Sequence, residues 1–259
     1  MENQNVLAES KPRDFSVILT EKLDGVQDAL PSDFNKARFV NNAVSLLNDS
    51  SNSLSQFAKQ YGTGQIVAGL VRGAFLGLDA LSKECHLVPF GNKLNFMIDY
   101  RGAQKLVKKY SMRPVKDIYA KLVRQGDEFE EEIIHGVPSI NFRPKPFNTG
   151  AIIGAFAVCL FEDGGMVYDA MNIQELEKTR SASRSKNSPA WSNYTGEMYK
   201  KTVIHRLCKH IEIDFESPNQ KQLFDDDMKI EVEREKVEVP DIDDDVIDVI
   251  DAEDVILED

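Results

Sequence analysis

The 259 residues suffice for one large domain or two small ones, and a hydrophobic share of 42% supplies a core. The longest apolar run, residues 151–161, is too short to span a bilayer, and the polar opening MENQNVLAESKPRDF lacks a signal-peptide core, so a cytoplasmic protein with no membrane partner is expected. The net charge of −12 argues against a polyanionic partner only until its distribution is read: residues 225–259 hold 17 acids against three basic residues, whereas residues 1–224 hold 28 basic and 26 acidic ones.

In chain order, residues 1–14 show no periodicity, and residues 1–34 are assigned to an N-terminal arm. Helical spacing follows at 35–47, with Asp33 or Ser32 as cap, and at 53–60. Residues 63–81 are apolar on most sides and rich in small side chains, which predicts a buried helix. The period then changes. CHLVPF and LNFMIDY predict two strands around a Gly91-Asn92-Lys93 turn, and residues 101–110 a short amphipathic helix. VKDIYAKLV and EFEEEII alternate as strands joined at Gln125-Gly126-Asp127. A proline-rich connection (Pro138, Pro144, Pro146) leads to AIIGAFAVCLF and MVYDAM, a hairpin turning at Glu162-Asp163-Gly164-Gly165. Residues 172–180 and 191–211 complete the body, 35–217, as helices. From Pro218 aromatics almost vanish and Asp alternates with Ile and Val, too little apolar area to offset chain entropy. An acidic, disordered tail over 218–259 is therefore expected. The fold class is α+β: an antiparallel sheet packed with helices in a single domain.

Two windows of the body are strongly basic, 101–124 and 178–209, each with eight Lys or Arg and one acid. Arg101, Lys105, Lys108 and Lys109 share one helical face. Lys201, His205 and Lys209 share another, opposite the stripe Tyr199, Val203, Ile204, Leu207 and Ile211, with Arg206 on its flank and Lys200 on the apolar side. One such face serves solubility as readily as binding. Two of them, with Arg180, Arg184 and Lys186 in a nearby loop, make the pattern that a phosphate backbone requires. Aromatic residues interleave with these charges: Phe90, Phe96, Tyr100, Tyr110, Tyr119, Trp191, Tyr194 and Tyr199. Core packing and base stacking are both open to them, and Trp191, in a polar stretch, is the stacking candidate.

Enzyme signatures are missing, and no catalytic residue or cofactor is expected. There is no GxxxxGK[ST], GxSxG or HExxH. Cys85-His86 and Cys208-Lys209-His210 lack zinc spacing, so no metal site is assigned, and three widely spaced cysteines without CxxC fit a reduced compartment. The carboxylates of EFEEEII leave a metal-dependent nuclease open as an alternative.

Four strings in order, HLVPFGNK, FMIDYRGAQKLVKK, VRQGDEF and PAWSNYTGEMYKKTVIHRLCKHI, resemble the RecT family of phage single-strand annealing proteins over roughly residues 35–212. The resemblance implies a bent antiparallel sheet packed on a helix. It also implies a recombinase that coats single-stranded DNA, forms rings or helical filaments as a homo-oligomer, and pairs strands through an annealed duplex intermediate without ATP. A 5′→3′ exonuclease partner and an encounter with the host single-strand-binding protein come with it. Two strands repel, so pairing needs a cationic groove that leaves base edges free. Lys200, Lys201, Arg206 and Lys209 are assigned to one wall; Arg101, Lys105, Lys108, Lys109 and Lys93 to another; Arg180, Arg184 and Lys186 to its closure, with Asn92 near the turn. A protector that coats DNA without pairing it uses the same residues and is a further alternative.

Overall fold

A computed structural model describes residues 14–183 and 186–234, with side chains described as far as residue 227. The opening of the expected arm, Arg184 and the tail beyond residue 234 lie outside the described residues. The order of elements is α1 (Phe15–Asp24), a single 3-10 turn (Gln27–Ala29), α2 (Lys36–Asn48), α3 (Ser53–Tyr61), α4 (Gly64–Leu76), β1 (Cys85–Phe90), β2 (Lys93–Ile98) and α5 (Tyr100–Tyr110). Then come β3 (Val115–Arg124), β4 (Glu128–Ile134), β5 (Val137–Arg143), β6 (Ile152–Phe161), β7 (Met166–Asn172), α6 (Ile173–Ala182), α7 (Pro189–Asn193), α8 (Thr195–Cys208) and α9 (Pro218–Arg234).

The centre is a three-stranded antiparallel sheet in the order β3-β6-β7. Its alternation sorts side chains onto two faces. Ile118, Ala120 and Leu122 of β3 and Ala155, Ala157, Cys159 and Phe161 of β6 join the main core with α8. Tyr119, Val123, Phe156, Val158 and Tyr168 face the other way and pack with Phe129, Ile140 and Phe142 of the β4–β5 hairpin. Strand β6, covered on both faces, reads as an unbroken apolar run for that reason. Gly196 lets α8 lie close on β3, since a Cβ there would stand 2.7 Å from Leu122 Cδ1.

The α+β class is as expected, and its strands are antiparallel throughout. Several connections differ. β3 pairs with β6, not with β4; β4 pairs with β5, which lies in the segment expected to be a proline-rich connection. Pro138, opposite Ile133, is tolerated because β5 has only one partner strand. The cap of α2 is Asn35, whose side chain accepts from Arg38 N–H, in place of Asp33 or Ser32. The buried helix stops at Leu76 because Gly77 takes the left-handed conformation. The last expected helix is broken at Tyr194 into α7 and α8.

The packed body is also larger than 35–217. Leu19 and Leu23 of α1 are fully buried in the main core. At the other end α9 packs on α4 and β2. Phe224 is buried there, Gln220 Nε2 donates to Phe75 O (2.9 Å), and Asp227 Oδ2 accepts from Ile98 N–H (3.1 Å). The expected disorder from residue 218 is thus corrected over 218–234. Among the described residues no helix is long and apolar enough to cross a membrane.

Candidate nucleic-acid interface

The β1–β2 hairpin delivers the chain directly into α5. Its turn is clamped by Gln65, which donates to Asn92 O (2.8 Å) and accepts from Leu94 N–H (2.9 Å), leaving Asn92 and Lys93 exposed. Asp99 caps α5 by accepting from Arg101 N–H (3.0 Å), and its other oxygen lies 3.3 Å from His86 Nε2. Burial pushes the Asp99 carboxyl up, but the His86 contact, the Arg101 N–H and the charge of Lys201 outweigh it and hold the group below its ordinary value. Gly102 allows this junction: a Cβ there would sit 2.0 Å from Glu84 O.

Tyr100 follows the cap, and two cations meet on its ring. Arg101 Cζ lies 5.6 Å from the centroid, with Nε donating to the Tyr100 hydroxyl (3.2 Å). Lys201 Nζ of α8, which packs along α5, lies 5.5 Å from the same centroid. These residues wall a pocket of about 230 Å³ that also reaches Lys83, His86 and the Asn52 cap of α3. Three cations therefore border it against Asp49 and Asp99.

The remaining expected wall residues diverge. Lys105 is turned inward as a tether: its Nζ donates to Gly77 O (2.9 Å) and Glu84 Oε2 (2.7 Å), joining α5 to the end of α4. Lys109 is paired with Asp33, and Lys108 lies 3.8 Å from Asp117. On α8, Lys200 pairs with Glu197 (2.6 Å). Arg206 turns to β7 and α6, 2.9 Å from Asp169 and 3.7 Å from Glu175. That is a charge contact without hydrogen-bond alignment at Asp169 Oδ2, where burial pushes the carboxyl up against the pull of Arg206 and His210. Lys209 is half-buried at the end of α8.

Arg180 lies 3.5 Å from Glu177 and 5.6 Å from the centroid of Trp191, with Nε facing Lys186 O (3.5 Å); Lys186 itself is exposed. Trp191 is 4% exposed and packs edge-on against Tyr199, 6.0 Å between centroids. Its expected role as a stacking platform is corrected: the ring fills the core. Of the expected site, the structure thus brings Arg101 and Lys201 together and directs Lys105, Lys108, Lys109, Lys200 and Arg206 to carboxylates. Lys83, His86 and the position of Tyr100 between the two cations carry no signature in the sequence, because contact across 100 residues sets them.

All three cysteines are buried thiols. Burial pushes Cys159 up to about 11 and Cys208 up to about 12, and raises Cys85 as well, so none is a nucleophile near neutrality. Among the described residues no group of three or more His, Cys, Asp or Glu is placed to hold a metal ion.

The RecT family model matches residues 37–240, from α2 through α9 and beyond. The chain is 31% identical over 170 residues to Protein RecT of Escherichia coli (strain K12), an alignment covering 60% of each chain; it thus spans about 60% of that relative's length. The match takes in β1, α5 and α8, which line the pocket around Tyr100 together with the α2–α3 connection and the segment before β1. With most of its length in the matched span, the chain belongs to the RecT family.

Proposed function

We propose that this protein binds single-stranded DNA without sequence preference and anneals it to a complementary strand, as a homo-oligomer and with no nucleotide cofactor. The observation that carries this reading is the meeting of Arg101 and Lys201 on the Tyr100 ring, in a chain of the RecT family. A stacked ring flanked by cations suits a strand held by its backbone and the face of a base, with sequence left to be read by the second strand. Lys93 and Lys186, both exposed, extend the cationic surface at the hairpin turn and beyond α6. The ion-paired lysines Lys108, Lys109 and Lys200 join it by exchanging a carboxylate for a phosphate, and Lys209 lies at the far end of α8.

The same reading takes in a ring or helical filament, an annealed duplex intermediate, a 5′→3′ exonuclease that exposes the strand and an encounter with the host single-strand-binding protein in the cytoplasm. Two complementary end-labelled oligonucleotides, mixed with the protein without nucleotide and with either magnesium or chelator, test the activity. Faster pairing of full-length strands in both arms is expected. Slower pairing would make the protein a protector, and shortened strands in the magnesium arm would make it a nuclease.

A further inference from the structure

We infer that the groove between β3 and the β4–β5 hairpin is a second binding surface for single-stranded DNA, on the face of the sheet turned away from α8. It rests on the reading of the ligand as single-stranded DNA, and it adds a site that none of the wall residues above belongs to.

The groove encloses about 920 Å³ and is walled by Tyr119, Lys121, Arg124, Phe142, Lys145 and Asn148 among others. Lys121 and Lys145 are exposed and form no ion pair among the described residues. Both acids that line the groove are engaged. Asp127 accepts from Arg124 N–H (2.8 Å), Lys145 N–H (2.9 Å) and Asn148 Nδ2 (2.7 Å), and Asp117 faces Lys108 (3.8 Å). The lining carries three cations, Lys121, Arg124 and Lys145, against the two carboxylates of Asp117 and Asp127, a net of +1. Arg124 is fixed as well, with Nη1 donating to Gly150 O (2.7 Å).

The Asp127 clamp also holds the turn that carries Phe147, closed by Asn148 N–H to Lys145 O (3.2 Å). Phe147 has a φ of +51° and is 100% exposed. A phenylalanine in left-handed backbone that is fully exposed among the described residues points to something outside the fold that its ring meets. Phe147 projects from this turn, whose Lys145 and Asn148 line the groove together with Tyr119 and Lys121 of β3. An exposed ring at the edge of a groove that holds the unpaired cations Lys121 and Lys145 suits a strand of stacked bases and phosphates. An apolar protein partner would leave those same cations desolvated without counter-charges.

The test replaces Phe147 with the photoreactive residue p-benzoylphenylalanine in the full chain and irradiates it with 5′-labelled oligo(dT). Label transfer to the protein is expected, persisting in an Arg101→Ala/Lys201→Ala background and lost with Lys121→Ala/Lys145→Ala. Without the photoreactive residue, the latter pair lowers affinity several-fold and the salt slope by about 1.4, at roughly 0.7 per phosphate on single strands. A chain that binds the oligonucleotide in solution but is not labelled from position 147 overturns this inference alone. So does crosslinking of 147 to a second copy of the chain without DNA. A chain that binds no oligonucleotide overturns the proposed function with it.

Discussion

Lys201 Nζ stands 5.5 Å from the centroid of the Tyr100 ring, joining the first turn of α5 to the middle of α8, about a hundred positions further along the chain. The contact has two uses. It packs α8 against α5, and it fixes a cation on an aromatic face at the rim of a pocket that Arg101 shares.

If that rim holds DNA, Lys201→Ala and Arg101→Ala each weaken oligonucleotide binding without regard to sequence, and each lowers the slope of log affinity against log salt by about 0.7. Fluorescence anisotropy of labelled oligo(dT) at four salt concentrations reads both quantities. An unchanged slope in the double variant removes these residues from the interface.

Lys105 should behave differently despite sharing a helix with Arg101. Its two partners, Gly77 O and Glu84, are intramolecular, so Lys105→Ala lowers stability by about 1 kcal/mol after allowance for solvent screening. The DNA salt slope of the folded variant stays at the wild-type value. Thermal melting and anisotropy on the same samples separate the two effects, and a slope change would return Lys105 to the groove.

Trp191, the single tryptophan, reports its own burial. Its emission is expected to be blue-shifted and poorly quenched by iodide, with or without DNA. Trp191→Ala lowers stability by about 3–5 kcal/mol, the range for emptying a large aromatic site. Strong iodide quenching that DNA relieves would instead restore the ring to the binding surface.

Asp99 makes the junction sensitive to acid. Its carboxyl is held below the ordinary 3.8, so the stability it contributes is fully present above pH 3.8 and disappears as pH falls through its folded value. Asp99→Asn keeps a capping oxygen and removes the charge. The variant is expected to melt lower than wild type at pH 6, with the gap closing below pH 3.8. A gap independent of pH would mean that the charge of Asp99 contributes nothing.

The segments most legible in sequence were those where burial is lopsided. The β1–β2 hairpin, α5 and β6–β7 all announce themselves through alternation or a clean apolar stripe. Strand β5 did not, because VPSINFR carries a proline and places its inward residues, Ile140 and Phe142, in a small secondary core. Helix α9 escaped for a related reason. Among its described side chains only Gln220 and Phe224 are buried, and Asp227, which reads as one more acid of a solvated tail, instead accepts from a strand N–H. The candidate site was half legible. Charge density pointed to the two helices that meet at Tyr100, but whether a lysine is a tether, an ion-pair member or a rim residue depends on Glu84, Asp33 and Tyr100, whose positions no local pattern encodes.

The strand pairing of β3 with β6 has a last consequence. Gln125 N–H donates to Ala151 O at 2.9 Å, so the chain leaves the sheet and re-enters it at adjacent points. The 25 residues between, which include β4, β5 and the Phe147 turn, form a cassette inserted into what would otherwise be a plain hairpin. Exchanging the cassette for a short turn would leave the three-stranded ladder hydrogen-bonded and uncover Phe156 and Val158. A protein built this way can alter what one face touches by redrawing a single excursion, while the strands that make it fold stay in register.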